Sequence, residues 1–327
     1  MPKTAREWLE KATFTTGDLK PPAGGGYLSP GQARAFLREA IEQSVLLSEA
    51  RYEDHEQPLF EVPRIAFNTR ILRRGVEAQR LADDDRVKPD TDLVTLQTVL
   101  LRGEVHLSDE VLEDNIERAR LADTIMAMVA EAVSRDLEEL AIKGDTDRTT
   151  SEDQYLATLD GVIKQLQVGL PTAQKIDATS IGTYEELFRT MVAAMPPRYR
   201  RNQGALRLYV PVKHRDGYVA ELRGRGTPLG DTATIRGLAT ELAFDGIPVR
   251  GVPLMTGTDE INAASVDYSK FAILIDPQNL IVGFQRRVRV ERFRDPREGA
   301  TSIVISLRVD FKVALPDAAV LAYNIAL

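Results

Sequence analysis

From Leu59 to Lys143 the spacing of apolar residues changes period, and each change predicts an element. Phe60, Val62, Ile65, Phe67, Thr69 and Ile71 recur nearly every second position, as in a strand with one apolar face. Asp83, Asp84, Asp85, Arg86, Val87, Lys88, Pro89 and Asp90 form a polar tip. A return strand from Thr91 to about Leu107 carries Leu93, Val99, Leu101 and Val105 on one parity. Ser108 then reads as a helix cap, with Asp109, Glu110 and Glu113 near the positive end of the helix dipole. Leu112, Ile116, Ala119, Ala122, Met126, Val129, Val133, Leu137 and Leu140 step by three or four and predict one amphipathic helix ending at Lys143, with Gly144 as its C-cap. Such a rod would be about 50 Å long. Its alanines, and the lack of a sustained heptad with paired flanking charges, argue against a coiled coil. An isolated two-stranded ribbon is marginal in water, and long free edges invite pairing. The pattern therefore predicts that another copy of the chain covers the ribbon.

The flanks are read the same way. Residues 1–31 form an extended arm, because Pro21, Pro22, Gly24, Gly25, Gly26 and Pro30 exclude a regular element. The first dozen residues have a disordered tail as the alternative, but Trp8 and Phe14 call for a surface to rest on. Phe36, Leu37, Ala40, Ile41 and Val45 place a helix over Gln32–Leu47. Residues 144–182 read as loops and short elements. Thr183-Tyr-Glu-Glu186 is a capping box that opens a helix through Met195, stopped by Pro196 and Pro197. Leu206, Leu208 and Val210 alternate as a strand, and Gly217–Asp231, rich in glycine and arginine, reads as a mobile loop. Asp245-Gly246 predicts a hairpin turn, and Phe271–Ile275 a buried strand ending at Asp276-Pro-Gln-Asn279. Val288 and Val290 lead to a loop at Asp295–Gly299. Ile303, Ile305, Leu307, Val309, Phe311 and Val313 then alternate strictly, and Ala319–Ile325 makes a last strand. The class is α+β.

Composition narrows the function. With 327 residues, 43% of them apolar, the chain can bury a large core without staples. It has no cysteine, which removes disulfides, thiolate metal sites and cysteine nucleophiles. A net charge of −7 argues against a chain built to neutralise nucleic-acid phosphate. Ten lysines stand against 32 arginines, and arginine suits bidentate pairing with carboxylates at interfaces. No apolar run approaches the roughly 20 residues of a membrane span. Met1–Glu10 is charged and lacks the apolar stretch of a secretory signal.

Signals for catalysis are weak. His55, His106 and His214 are isolated in sequence and read as ordinary surface or half-buried histidines. No phosphate-loop, nucleophile-elbow or zinc-protease motif is present. Gly224-Arg-Gly-Thr-Pro-Leu-Gly230 could cradle phosphate, but its spacing departs from the dinucleotide fingerprint, and a flexible loop is the better reading. Asp145, Asp147, Ser151, Glu152 and Asp153 offer hard oxygen ligands without the glycine and glutamate of a calcium loop, so they read as a solvated turn. No catalytic, cofactor-binding or metal residue is assigned. The candidates are interfacial. Asp83, Asp84 and Asp85 at the ribbon tip could meet Arg286, Arg287, Arg289, Arg292 or Arg294 of a neighbour. Exposed pairs of this kind contribute little singly but can fix register.

In order and spacing, these segments resemble the major capsid proteins of tailed double-stranded DNA phages, with the Hong Kong 97-type fold. The resemblance spans nearly the whole chain. Gly25-Gly-Tyr-Leu-Ser-Pro30, followed by Phe36, Leu37 and Ser44-Val-Leu-Leu47, looks like the junction of N-arm and first helix. Val105-His-Leu-Ser-Asp-Glu-Val-Leu-Glu-Asp114, running to Leu140-Ala-Ile-Lys-Gly-Asp145, looks like the exit of the E-loop and the spine helix. Arg308-Val-Asp-Phe-Lys-Val-Ala-Leu-Pro-Asp-Ala-Ala-Val320 looks like the closing strands.

The resemblance implies an N-arm and first helix over residues 1–58, and an E-loop over 59–107 lying on an adjacent subunit. It implies a peripheral P domain over 108–181 and 285–327, and an axial A domain over 182–284 whose loops, with Arg223 and Arg225 among them, meet around five-fold and six-fold positions. Subunits would form pentamers and hexamers, then an icosahedral shell enclosing DNA without sequence-specific binding. The shell would be a virion capsid assembled in the host cytoplasm, with no membrane, cofactor or enzymatic role. Expected partners are other copies, a portal, a separate scaffolding protein, since no long helical segment precedes the arm, and, as an open option, a decoration protein. Some relatives cross-link an E-loop lysine to an asparagine. Lys88 is the lysine near the tip, but no asparagine here matches a partner motif, so a solvated charge is the expectation. The alternatives are an encapsulin-like nanocompartment shell and an unrelated α+β enzyme. Deleting residues 60–106 is expected to abolish shells and spare much of the remaining core.

Overall fold

The computed structural model describes residues 26–27, 44–66, 70–72, 90–108, 121–147, 154–224, 242–255, 266–295, 297 and 299–327. Along the chain the strands are β1 (Gly26–Tyr27), β2 (Arg51–His55), β3 (Leu59–Ala66), β4 (Asp90–Gln97), β5 (Val99–Ser108), β6 (Lys175–Asp177), β7 (Arg207–Pro211), β8 (Ala243–Phe244), β9 (Ile247–Val252), β10 (Ala272–Ile275), β11 (Leu280–Asp295), β12 (Ala300–Val313) and β13 (Ala319–Tyr323). The helices are α1 (Leu121–Lys143), α2 (Val162–Gly169), α3 (Tyr184–Ala194) and α4 (Val212–Arg223).

One sheet is organised by the long β11–β12 hairpin, with order β1-β11-β12-β5 and β2 pairing parallel to β11. Ile303, Ile305, Leu307, Val309, Phe311 and Val313 all enter the main core, as their alternation predicts. Register shifts between Gln285 and Arg289, so Arg286, Arg287 and Val288 stand in a β-bulge. β2 pairs with β11 before the bulge and β1 after it, which matches the tendency of bulges to redirect a strand.

The second sheet has the order β6-β13-β10-β7-β9-β8. Its centre is buried on both faces, which explains why β10 reads as an unbroken apolar run. Ile273 and Ile275 join the main core with α1, α2 and the first sheet, while Ala272 and Leu274 pack with α3 and α4. The expected turn at Asp245-Gly246 is present, with φ of 49° and 80°, the left-handed pair of a two-residue hairpin. Helix α3 starts at the expected cap, where Glu186 N donates to Thr183 Oγ1.

Other expectations are modified. Val129, Leu137 and Leu140 of α1 are buried along the predicted stripe, residues 109–120 lie outside the described residues, and Ser108 is the last residue of β5, paired with Ala300. Gly144 does not adopt a left-handed cap. It is required by close packing, because a Cβ there would lie 2.3 Å from Leu159 O, and Gly161 N donates to Gly144 O at 2.8 Å. Within 144–182, expected as loops and short elements, residues 162–169 form the short helix α2, with Val162, Ile163 and Leu166 buried. The predicted mobile loop from Gly217 is helical through Arg223. Gly217 sits inside α4 because a Cβ would collide with the Tyr184 ring, and residues 225–231 lie outside the described residues. The first helix expected over 32–47 also lies outside them up to residue 43, and residues 45–49 form turns.

Two strands change partners. β5, expected as the return strand of the ribbon, pairs with β12 from Val99↔Val309 to Ser108↔Ala300. Deleting 60–106 would therefore remove nearly all of the strand that borders β12 in the first sheet, so the deletion reaches into the core that it was expected to spare. β13, expected beside the closing strands, crosses into the second sheet between β10 and β6.

Candidate assembly interface

The ribbon is the β3–β4 hairpin, paired from Leu59↔Gln97 to Ala66↔Asp90. Its root does rest on its own chain. Phe60, Val62 and Leu96 pack against Ile281, and Gly283 makes room for them, since a Cβ there would stand 2.6 Å from Phe60 Cζ and 2.7 Å from Leu96 Cδ2. His55 stacks on Phe60 at 3.9 Å between ring centroids. Strand alternation then leaves the other face outward, with Leu59 53% exposed and Leu93 50% exposed. The sequence assigned Leu93 to the same face as Val99, Leu101 and Val105. Instead, Val94 and Leu96 face inward on the ribbon, whereas Val99, Leu101 and Val105 face inward on the first sheet. Parity flips at Thr98, where the chain passes from one sheet to the other.

That crossing is pinned by polar contacts. Thr98 N and Oγ1 both donate to Pro58 O, at 2.9 and 3.0 Å. Gln97 N donates to Asp310 Oδ2 at 2.7 Å. Burial raises the Asp310 carboxyl above the usual range, opposed by the hydrogen bond from Gln97 and by Lys312. A second anchor holds the segment leading into β2. Glu138 of α1 is buried, and its Oε1 accepts from Val45 N at 2.9 Å and Leu46 N at 2.8 Å. Burial also pushes its carboxyl up, while those two bonds pull it down. Tyr52 Oη donates to Leu47 O beside it. Periodicity gave no sign of Thr98, Asp310, Glu138 or Gly283, because each acts across more than 40 residues of chain or through backbone groups.

Beyond β3 the described residues resume at 70–72, where Ile71 is 55% and Leu72 83% exposed. Asp83, Asp84, Asp85, Lys88 and Arg225 lie outside the described residues. Arg286 and Arg287 occupy the β11 bulge, Arg289 is exposed just after it, and Arg223 is exposed at the end of α4. Among the described residues, then, the arginines 286, 287 and 289 are brought together by β11, and Arg223 stands apart on the second sheet's helix layer.

The histidines are dispersed. His214 is buried, its Nε2 donating to Ser269 O at 2.5 Å with Tyr184 Oη 3.4 Å from Nδ1, and desolvation holds its pKa below the ordinary 6.5. His106 Nδ1 pairs with Ser302 Oγ at 2.8 Å on a different sheet. Asp145 and Asp147 share Lys164, at 3.0 and 2.5 Å from its Nζ, so an ammonium already occupies the space between the two carboxylates. Among the described residues no cluster suited to a metal ion occurs, and no helix is long and apolar enough to cross a membrane.

A profile of the Phage capsid family matches residues 24–323. The chain belongs to the phage capsid family. Within the family, the putative prophage capsid protein YqbE of Bacillus subtilis (strain 168) is 33% identical over 309 residues, 93% of this chain and 94% of that protein. Solved structures carry the fold at lower identity. A chain of the satellite phage P4 procapsid that includes the size determination (Sid) protein aligns over 97% of this chain and 95% of its own, with a TM-score of 0.67 at 12% identity. The capsid of a native GTA particle gives 0.59 at 15% identity over 95% and 97%. The holo-SrpI encapsulin complex of Synechococcus elongatus PCC 7942 gives 0.52 at 10% identity over 99% and 96%. This phage capsid protein thus has the α+β Hong Kong 97-type fold, and its place is in a capsid shell.

Proposed function

We propose that this capsid protein assembles through pentamers and hexamers into an icosahedral head that encloses double-stranded DNA, and that its ribbon lies on an adjacent subunit. The supporting observation is exposed apolar surface on and just beyond the ribbon: Leu59 and Leu93 on the outward face of the hairpin, whose described root packs on its own chain, and Ile71 and Leu72 past the end of β3. Single exposed apolar residues are ordinary, but four on one marginal two-stranded hairpin and the segment that continues it favour a covered interface. Obligate interfaces of this class bury about 2,000 Å² or more.

The proposed organisation is an N-arm over 1–58, a ribbon whose far boundary moves to Gln97, a P domain built on the first sheet, and an A domain built on the second. Asp83, Asp84 and Asp85 of one copy pair with Arg286, Arg287 and Arg289 of another, and Arg223 and Arg225 line the axial positions. Lys88 remains a solvated charge. The role is architectural and not catalytic. The proposed partners are a separate scaffolding protein and a portal, with a decoration protein left open, and assembly takes place in the host cytoplasm. The encapsulin-like reading shares the fold, and the contents of shells from the native source separate the two: DNA supports a phage head, a dedicated cargo protein a nanocompartment.

Electron microscopy of the purified full-length protein, across concentration, tests the proposal. Closed shells with pentamers at the vertices and hexamers between them are expected. A monodisperse monomer at every concentration would overturn it.

A further inference from the structure

A groove of about 310 Å³ runs along the root of the ribbon, between the inner edge of β3–β4 and the junction of the two sheets. Its walls are largely apolar, including Val62, Val94, Leu206, Ile281 and Leu315; Asp276 and Arg51 also line it, and Arg51 is already paired with Glu53. The wall is preset. Asn279 Nδ2 donates to Leu315 O at 2.8 Å, and Leu315 N donates back to Asn279 Oδ1 at 2.7 Å. A rigid apolar groove of this size matches the small end of the range for built binding sites, about 300–1,000 Å³.

The same chain presents a matching plug. Ile71 and Leu72 are adjacent, both exposed, and preceded by the exposed cation Arg70. They sit five and six residues past the end of β3. We propose that Ile71 and Leu72 of one copy seat in the root groove of the adjacent copy, with Arg70 facing Asp276. This rests on the reading that the ribbon lies on a neighbour, and it adds which residues enter and where they go. Every subunit then gives one plug and offers one groove. The contact is heterologous, head to tail, and such contacts close into rings when the rotation per step allows. Ring closure at five and six copies thereby follows from one repeated contact with small changes of angle.

Because the chain has no cysteine, a disulfide can report the contact without background. Leu72→Cys is combined with Ala314→Cys on the groove wall, and assembled particles are oxidised and run without reductant. A bridge forms only where the Cα atoms come within about 7 Å. A reducible ladder from dimers up to closed pentamers and hexamers is expected, and neither single variant should give more than dimers. Normal shells with only a monomer band, or an internally bridged monomer of altered mobility, would overturn the proposal while leaving the shell reading intact. Wild-type protein that forms no shells at all would instead remove the shell reading beneath it. If the cysteine pair itself blocks assembly, Ala314→Trp and the double change I71S/L72S take its place. Each should keep the unassembled subunit's thermal unfolding and lower assembly about tenfold or more, the effect of some 1.4 kcal/mol at the contact. Undiminished assembly of both variants would overturn it.

Discussion

Single positions where backbone meets backbone set limits that hydrophobic pattern does not express. Gly144 and Gly161 bring the end of α1 against the start of α2, and a Cβ on either would lie within 3.0 Å of backbone atoms, which cannot swing aside. Gly144→Ala is expected to lower the stability of the unassembled subunit by about 1–3 kcal/mol, the usual range for overpacking. Gly103 in β5 is the control, since a Cβ there meets nothing within 4 Å; Gly103→Ala should be neutral or slightly stabilising in the same urea titration. His214 gives a pH signature. Its folded pKa is depressed below 6.5, chiefly by desolvation, so the unfolded state binds its proton first as pH falls. The stability associated with neutral His214 is present above 6.5 and is lost as pH drops through the folded value, with a slope of at most about 1.4 kcal/mol per pH unit. His214→Gln keeps a donor for Ser269 O, and should flatten the stability profile between pH 7 and 5; an unchanged slope would contradict this assignment.

At the scale of elements, two buried carboxylates tie backbone segments to elements distant in sequence. Glu138 satisfies two backbone donors at once, and Asp310 satisfies the last amide of β4. Leaving a buried donor without a partner costs about 1–3 kcal/mol. Glu138→Leu orphans two and is expected to cost about 2–4 kcal/mol by thermal unfolding, whereas Glu138→Gln, which keeps an acceptor, should cost under about half of that. Asp310→Ala should act locally: faster hydrogen exchange at Gln97 and Thr98 and a looser ribbon root, with exchange in β10 unchanged. These anchors also explain why local pattern does not separate β4 from β5. The sequence gives a continuous run of strand-forming residues from Thr91 to Leu107, and nothing local marks that Thr98, through Pro58, hands the chain from one sheet to another. Helix α4 was hidden for a related reason. Its buried face is only His214, Tyr218 and Val219, and a mid-helix glycine that a breaker rule counts against it is required by the Tyr184 ring.

For the whole molecule, the structure redraws the decisive truncation. Pro63 and Leu93 are cross-strand partners, so replacing residues 64–92 by Asn-Gly closes a short hairpin and leaves β5 in place. This variant is expected to remain a folded subunit with near-native circular dichroism and to form no shells by negative-stain microscopy. Normal shells from it would remove the ribbon from the assembly mechanism. A deletion that includes β5 would strip the strand that borders β12 and so would confound assembly with folding.

The chain's own pattern determined the class of the fold and most of its parts: the amphipathic stripe of α1, the alternating β12, the Asp245-Gly246 turn, the cap of α3, and a two-stranded ribbon. These are local consequences of period and turn chemistry, which a few neighbouring residues are enough to encode. Tertiary structure alone decided which sheet β5 and β13 join, which carboxylates act as anchors, and where a groove forms beside Leu315. Those outcomes depend on pairs such as Gln97 with Asp310, or Val45 with Glu138, that are distant in sequence and meet only after the core has packed.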